Sequence, residues 1–464
     1  MTPRAGRAIG NAREGTARGA AALVFGLLAT AWLAGATPAR AELMQPDPSY
    51  KDAQFDLRAA LKDTVGQSEN PVRLDTLGVA LLRLNRYADA KRVFAHVLAL
   101  KPGDDAAEAG LGKLALWNDQ LAEAESLLAG GLDGDPTAVN DLLATRVRRG
   151  EWTSAAALAD SLGQTGYAEL LRRHADGDLY QKSGANEAKI MLARVYPVPL
   201  VRVKLNGQLV LMSVETGTGD LLIDDYFARQ LKLQILGSQR PTLWNGDYVS
   251  VRNALVQRLD LGGVRVANVP AGIVKTGRWS VEVNPQGEHV AGVIGLNLLR
   301  QFTPTLDLKQ QYLELRPLDA APPAAQGASR VPFEIWGENE LTVYGSMNGG
   351  RRMAFALDSG IPGCGVAAPP EVFEEIGIKA GVMTRMVAGA GSMLHGRPWN
   401  GVQVSAVTIG PLAKDKVQGW SGAIDSSELW RHGVRRDAAL SNDFLRGRRV
   451  TFDWAKRELV VEGD

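Results

Sequence analysis

Residues 209–217 read LVLMSVETG, and residues 353–360 read MAFALDSG. Each stretch is an apolar strand-like run that ends in an acid, a hydroxyl residue and a glycine. Each also follows a hairpin signal, Asn206-Gly207 in the first case and Asn348-Gly349 in the second. The two stretches indicate that one β unit occurs twice in the chain.

Matching stretches also occur downstream of each unit, in the same order. Val-Ile-Gly at 293–295 and Leu-Leu-Arg at 298–300 reappear 146 residues later as Ala-Leu-Ser and Phe-Leu-Arg. Thr-Leu-Asp at 305–307 reappears as Thr-Phe-Asp at 451–453. Because order and spacing are both kept, the β-rich part of the chain is interpreted as an internal duplication.

The duplicated pattern resembles a known family. Hydrophobic-hydrophobic-Asp-Thr/Ser-Gly, followed about 80 residues later by hydrophobic-hydrophobic-Gly, is similar to one lobe of the aspartic proteases, the clan of pepsin and the retropepsins. Two lobes in one chain resemble pepsin, and their short length resembles bacterial retropepsin-like proteins. The resemblance implies an all-β, two-lobed, barrel-like fold with lobe 1 at 195–318, a linker at 319–330 and lobe 2 at 331–464.

The resemblance also implies a site at the junction of the lobes. Two carboxylates that face one water can share a proton, so that one acts as base and the other as acid. Glycine allows a tight turn after each acid, and the hydroxyls can join the two loops across the interface. The catalytic candidates are Asp358 and Glu215, and the supporting loop residues are Thr216, Gly217, Ser359 and Gly360.

Two positions depart from the family pattern. Glu215 stands where the family has Asp, and Ser441 replaces the glycine of the downstream motif in lobe 2. The favoured hypothesis is an exported aspartic-type endopeptidase that uses the Glu215 and Asp358 carboxylates. The alternative is an inactive pseudo-protease that binds peptides or partner proteins in the cell envelope. A third possibility is that only lobe 2 is active and pairs with a second copy of itself.

A flap over the cleft is expected in lobe 1. Residues 243–249, LWNGDYV, have a turn flanked by aromatic residues. Trp244 or Tyr248 could cover a bound substrate in this arrangement. An exposed hairpin with ordinary cross-strand aromatic contacts is the alternative.

The chain before the lobes is predicted to be helical, at residues 70–185. Leu77-Gly78, Ala90, Phe94 and Pro102 recur 34 residues later as Leu111-Gly112, Ala124, Leu128 and Pro136. This recurrence resembles the tetratricopeptide repeat. The repeats could dock a substrate or partner protein, or could serve as a spacer or cap on the next domain.

The N-terminus is typical of a secretory signal. Residues 1–41 combine four early arginines, an apolar run and an Ala-Arg-Ala end. A polar leader follows at 42–69, and the predicted location is the periplasm of a Gram-negative bacterium. An uncleaved signal would instead anchor the protein to the membrane.

Composition excludes some other functions. The 464 residues carry a net charge of +1, which gives no basic surface for nucleic acid. The five histidines are scattered and Cys364 is the single cysteine, so neither a metal nor an organic cofactor is expected. Cys364 itself is either a thiol that is reactive or pairs between chains, or a buried small apolar residue.

Overall fold

The computed structural model describes residues 50–67, 69–238, 242–244, 247–285, 287–320, 327–379 and 399–463. The predicted signal at 1–41 lies outside these stretches, as does the start of the leader. Residues 47–464 form one compact unit. Within the described stretches, no helix combines the length and apolar character needed to cross a membrane.

The N-terminal part consists of antiparallel helical hairpins. Its described helices are α1 (Tyr50–Asp63), α2 (Pro71–Arg83), α3 (Tyr87–Leu100), α4 (Asp105–Trp117), α5 (Leu121–Gly130), α6 (Ala138–Arg149), α7 (Trp152–Ser161) and α8 (Thr165–Ala175). The small residues of the repeat lie where helices cross. A Cβ on Gly78 would lie 2.4 Å from the Phe94 ring, and one on Gly112 would lie 2.7 Å from Leu128. Glycine thus permits the close approach at equivalent positions of both repeats.

Helix α1 corrects the expectation of a leader that continues to residue 69. Residues 50–63 are helical and bury Ala53, Leu57 and Ala60 against the rest of the protein. Only three mostly small residues form this buried stripe, and charged residues surround them. Such a sparse stripe gives a weak periodic signal in the sequence.

The two β-barrel lobes follow the helices. Lobe 1 and its flanking strands comprise β1 (Gln181–Gly184), β2 (Ala188–Arg194), β3 (Leu200–Leu205), β4 (Gln208–Val214), β5 (Leu221–Asp224), α9 (Asp225–Gln230), β6 (Gln234–Ser238), β7 (Thr242–Trp244), β8 (Asp247–Val249), β9 (Arg252–Leu261), β10 (Val264–Val274), α10 (Gly277–Val283), β11 (Val290–Ile294), α11 (Leu296–Leu299), β12 (Thr303–Asp307) and β13 (Tyr312–Arg316). Lobe 2 comprises β14 (Ser329–Pro332), β15 (Glu334–Trp336), β16 (Glu340–Met347), β17 (Met353–Leu357), β18 (Val366–Ala368), α12 (Pro370–Glu375), β19 (Asn400–Ile409), β20 (Leu412–Ser421), a 3₁₀-helix (Ser426–Trp430), β21 (Ala438–Leu440), α13 (Asn442–Leu445), β22 (Arg449–Asp453) and β23 (Glu458–Glu462).

The same strand order is found in both lobes. In lobe 1 the strand that leads to the acid, β4, pairs in parallel with β11, which also pairs with β5, and β5 continues to β10 and β9. In lobe 2 the corresponding order is β17, β21, β18, β20 and β19, with the same parallel and antiparallel pairings. The duplication inferred from the sequence is therefore a duplication of topology.

A shared sheet joins the lobes, in the order β14-β23-β22-β12-β13-β2. At its centre, β12 pairs antiparallel with β22, and Thr305 lies opposite Thr451. Their hydroxyl oxygens are 2.7 Å apart. Since these two residues are 146 positions apart, equivalent points of the two lobes meet at this contact.

Candidate active site

The two acids occupy equivalent positions at the ends of equivalent strands. The Glu215 backbone N–H donates to the Ile294 carbonyl at 3.0 Å, and the Asp358 N–H donates to the Leu440 carbonyl at 2.9 Å. Each acceptor belongs to the parallel strand of its own lobe, β11 or β21. The downstream hydrophobic motif therefore fixes the loop that carries each acid.

A reciprocal set of hydrogen bonds joins the two acid loops. The Thr216 hydroxyl donates to the Leu357 carbonyl at 3.0 Å and accepts the Ser359 N–H at 3.2 Å. The Ser359 hydroxyl donates to the Val214 carbonyl at 3.0 Å and accepts the Thr216 N–H at 3.1 Å. All four bonds are buried and cross from one lobe to the other. The structure thus brings the two hydroxyl residues together, which is the arrangement that the sequence predicts for them.

Each carboxyl group packs against the glycine of the opposite loop. A Cβ on Gly217 would lie 2.2 Å from Cγ of Asp358, and a Cβ on Gly360 would lie 2.2 Å from Cδ of Glu215. Both carboxyl carbons therefore come equally close to the partner loop, although glutamate is one methylene longer. The additional methylene of Glu215 is therefore accommodated within lobe 1.

The two carboxyl groups differ in their surroundings. Glu215 is 3% exposed, its Oε1 has no hydrogen-bond partner, and its Oε2 accepts the Thr218 hydroxyl at 3.4 Å. Burial and the neighbouring charge of Asp358 raise the pKa of Glu215 to about 8. A carboxyl group with this pKa carries its proton at neutral pH.

Asp358 is only partly buried and has stronger partners. Its Oδ1 accepts the Gly360 N–H at 2.9 Å. Burial raises the pKa of Asp358 above its ordinary value, while this hydrogen bond and the positive charge of Arg436 act against the rise. The Gly360 N–H and the charge of Arg436 thus favour the ionised form of Asp358, and the site can hold one carboxylate beside one carboxylic acid.

The structure accommodates the serine that replaces the lower glycine in lobe 2. Gly295 and Ser441 have similar extended backbones, with φ of −91° and −114° and ψ of 177°. In lobe 1, a Cβ on Gly295 would lie 2.3 Å from the carbonyl oxygens of Gly219 and Asp220. The lobe 2 loop is two residues longer between the acid and the next strand, and the Ser441 hydroxyl donates to the Ile361 carbonyl at 2.6 Å. The longer loop makes space for the side chain.

A hairpin is present where the lobe 1 flap is expected. Strands β7 and β8 pair antiparallel, with Leu243 opposite Tyr248 and Trp244 opposite Asp247. Trp244 and Tyr248 thus lie on the two strands of one ribbon, and their role as a cover for substrate stays a prediction. The glycine-rich counterpart in lobe 2, residues 387–392, lies outside the described residues.

Sequence reasoning missed a buried ion group beside Asp358. The Arg436 guanidinium donates to Glu340 at 2.7 Å and to Glu428 at 2.9 Å. Glu340 and Arg436 are 96 residues apart, and no local pattern connects them. Only the tertiary fold of lobe 2 brings them together.

The helical repeats contact lobe 2 on the loop that leads into β21. The fully buried Lys113 ammonium donates to Asp141 at 2.6 Å and to the His432 carbonyl at 3.0 Å. Asn85 donates to the Arg435 carbonyl at 3.1 Å, and Val434 is buried in the core of the repeats. This face of the repeats is therefore occupied within the chain, as expected of a cap on the next domain.

Cys364 is a buried residue, which is the second of the two alternatives expected for it. It is 0% exposed and packs in a small apolar cluster of lobe 2, and burial raises the pKa of its thiol. Among the described residues, no group of three or more His, Cys, Asp or Glu side chains is placed to hold a metal ion.

Two family models match parts of the sequence. Residues 201–298, which include Glu215, match the family model described as "Aspartyl protease". Residues 81–145 match the model described as "Tetratricopeptide repeat". Lobe 1 thus carries an aspartyl protease domain and the helical part carries tetratricopeptide repeats. Family match and fold together support an aspartic-type peptidase as the class of protein.

Three solved structures are similar to parts of the chain. Basic 7S globulin from soybean is 10% identical, with a TM-score of 0.36 over 61% of this chain and 95% of that chain. Conglutin gamma, a basic 7S globulin from lupine seeds, is 11% identical, with a TM-score of 0.37 over 60% and 95%. A retropepsin-like aspartic protease from Rickettsia conorii is 16% identical, with a TM-score of 0.20 over 29% and 92%. No curated protein matches the sequence.

Proposed function

We propose that the protein is an exported aspartic-type endopeptidase that hydrolyses peptide bonds with Glu215 and Asp358. The observation that carries this proposal is the packing of each carboxyl group against the glycine of the opposite loop. It brings Glu215, whose pKa is raised to about 8, to the same junction as Asp358, whose ionised form the Gly360 N–H and Arg436 favour. General acid–base hydrolysis by a carboxyl pair requires this combination.

The unequal pair assigns a role to each acid. Ionised Asp358 takes a proton from a water molecule while the water oxygen attacks the peptide carbonyl carbon, and Glu215 donates its proton to the carbonyl oxygen. The tetrahedral intermediate then returns a hydroxyl proton to Glu215. The nitrogen takes the proton from Asp358 as the C–N bond breaks, so both acids regain their starting states.

Export is part of the proposal and is supported by the sequence. A basic segment, an apolar run and Ala39-Arg40-Ala41 precede the helical repeats. The single cysteine is buried, so no described thiol is open to oxidation outside the cytoplasm. Periplasmic peptides or unfolded proteins would be the substrates in such a location.

A second candidate is a protein that binds extended peptides without cleaving them. The observation that favours it is the near-complete burial of Glu215, whose Oε1 is closed off from solvent while Asp358 is partly exposed. A carboxyl group that a substrate could not reach would leave a binding cleft without turnover.

Digestion of a mixed peptide library in ¹⁸O-labelled water separates the two functions. We expect the purified full-length protein to release fragments with one ¹⁸O in each new carboxyl group, and Asp358→Asn to lose this activity by about 10²–10⁴-fold. Asp415→Asn, which changes an exposed aspartate on β20, is the matched control and should keep wild-type activity. Retention of peptides without cleavage by both wild type and Asp358→Asn would establish the binding function instead.

A further inference from the structure

The two acids have different neighbours in the adjacent strands. In lobe 2, β16 pairs with β17 so that Thr342 lies opposite Ala356, and two residues further this register places Glu340 beside Asp358. In lobe 1, Leu200 lies opposite Ser213 and the Val214 N–H donates to the Pro199 carbonyl at 2.9 Å, so the chain that approaches the Glu215 loop comes from the buried Val198. One acid thus has a carboxylate neighbour where the other has an apolar side chain.

A buried arginine, Arg436, is a further difference between the two lobes. Its guanidinium is 9% exposed and is held between the Glu340 and Glu428 carboxylates. It stands two residues before β21, the strand whose Leu440 carbonyl accepts the Asp358 N–H. A buried arginine with two carboxylate partners is fixed in position, so its charge acts on the site from a constant place.

Lobe 1 has no charge at the corresponding position. The residue 146 positions before Arg436 is Val290, which is fully buried. Val290 and Val198 belong to the same apolar cluster, together with Trp279 and Val283. Among the described residues, hydroxyl groups and Asp358 are the polar groups that act on Glu215, and no cation is among them, so burial favours its neutral form.

We propose that Arg436 is a positioning residue that keeps the negative charge of the pair on Asp358 and thereby leaves the shared proton on Glu215. This inference rests on the proposed function, because it assigns the base and the acid within that site. It goes further because it names a residue outside the duplicated motif. It also predicts that the unequal proton affinity of the two acids originates in lobe 2.

The charges around Asp358 act on its pKa in opposite directions. Arg436 opposes the rise in the pKa of Asp358 that burial produces, whereas Glu340 adds to it. The ionisable groups that face Asp358 or Arg436 from the packed elements are Glu215, Glu340, Cys364, Glu428, Arg431 and His432. His432 lies 3.4 Å from Glu340, and Arg431 lies 3.4 Å from Glu428, so both side chains contact the carboxylates of the ion group.

Covalent labelling by a small nitrophenyl epoxide tests the proposal without any need for turnover. An ionised carboxylate oxygen attacks an epoxide carbon, the ring C–O bond breaks, and the resulting alkoxide takes a proton from the neighbouring acid or from water. Peptide mass spectrometry then shows which residue carries the ester. We expect wild type at pH 6 to be labelled on Asp358 and not on Glu215.

Three variants give distinct expected shifts in the pH midpoint of labelling. Arg436→Gln should raise the midpoint by about one pH unit, because the ionised Asp358 loses a stabilising charge. Glu340→Gln should lower it, because a like charge beside Asp358 is removed. Arg435→Gln removes an equally buried arginine that pairs with Asp437 and Glu375, and it should leave the midpoint unchanged.

Two further variants control for misfolding. Arg436→Gln/Glu428→Gln removes one charge of each sign from the ion group, and Arg436→Lys keeps the charge and should restore the wild-type midpoint. Shifts of opposite sign for Arg436→Gln and Glu340→Gln cannot come from loosened packing alone. Equal midpoints in all folded variants, or an ester on Glu215 in wild type, would overturn the inference. The expected shifts without any proteolysis would leave it standing and reject the endopeptidase.

Discussion

The two lobes have equivalent residues at their junction but different residues around each acid. At the junction, hydroxyl residues, glycines and carboxyl carbons occupy equivalent positions. Behind the acids, lobe 1 presents an apolar cluster to Glu215 and lobe 2 presents an ion group near Asp358. A symmetric frame can therefore hold two carboxyl groups of unequal proton affinity, because different residues build the frame and surround the acids.

The largest expected effect comes from filling the space between the loops. In Gly360→Ala, the new Cβ would lie 2.2 Å from Cδ of Glu215, so the carboxyl group must move. We expect proteolysis to fall by about 10²–10⁴-fold, since a displacement near 1 Å is costly in catalysis. Gly277→Ala has nothing within 4 Å of its new Cβ and is the control. Wild-type kcat/KM in Gly360→Ala would show that the two loops do not form one site.

The next effect concerns the stability of the folded protein against pH. Because burial raises the pKa of Glu215 to about 8, the folded state retains a proton that the unfolded chain loses near pH 4.5. Wild-type stability should therefore fall as the pH rises through this window, by roughly 2–4 kcal/mol.

Glu215→Gln has no proton to lose and should not show this fall in the free energy of unfolding. Denaturant titrations at pH 5 and pH 8 measure it, and Glu123→Gln, a change at an exposed helical glutamate, should behave as wild type. The same pH dependence in Glu215→Gln and wild type would mean that Glu215 ionises normally.

Shortening Glu215 should have a smaller effect on the reaction. In wild type, the carboxyl carbons of Glu215 and Asp358 come equally close to the glycine of the opposite loop. Glu215→Asp removes one methylene, so its carboxyl carbon moves back from that loop by about one C–C bond. We expect kcat/KM to fall by roughly 10–10²-fold with KM little changed, because the acid is displaced and the cleft is not. An increase in kcat would contradict the view that lobe 1 is shaped for glutamate.

The hydrogen bonds between the loops should contribute least. Ser359→Ala leaves the Val214 carbonyl and the Thr216 N–H without their partner and should destabilise the protein by about 1–3 kcal/mol. Thr216→Val should cost a similar amount, and the double variant should cost less than the sum, because the four bonds form one group. Additive losses in thermal unfolding would show that the two hydroxyls act independently.

Much of the frame could be predicted from the sequence. The acid-hydroxyl-glycine motif, the downstream strand and Thr305 with Thr451 recur in order, and the structure pairs them as equivalent elements. The asymmetry could not be predicted, since Glu340 and Arg436 meet only through sheet register. Helix α1 was missed because its buried stripe is sparse, and the fit of Glu215 depends on side-chain packing that a motif does not encode.

The pH profile of kcat/KM from pH 4 to pH 10 shows whether a protonated Glu215 and an ionised Asp358 act together. We expect a bell-shaped profile that falls on the alkaline side near pH 8, where Glu215 loses its proton. We also expect Glu215→Gln to be inactive across the whole range. A rate that stays level from pH 7 to pH 10, or an active Glu215→Gln with the wild-type profile, would contradict this joint action of the two acids.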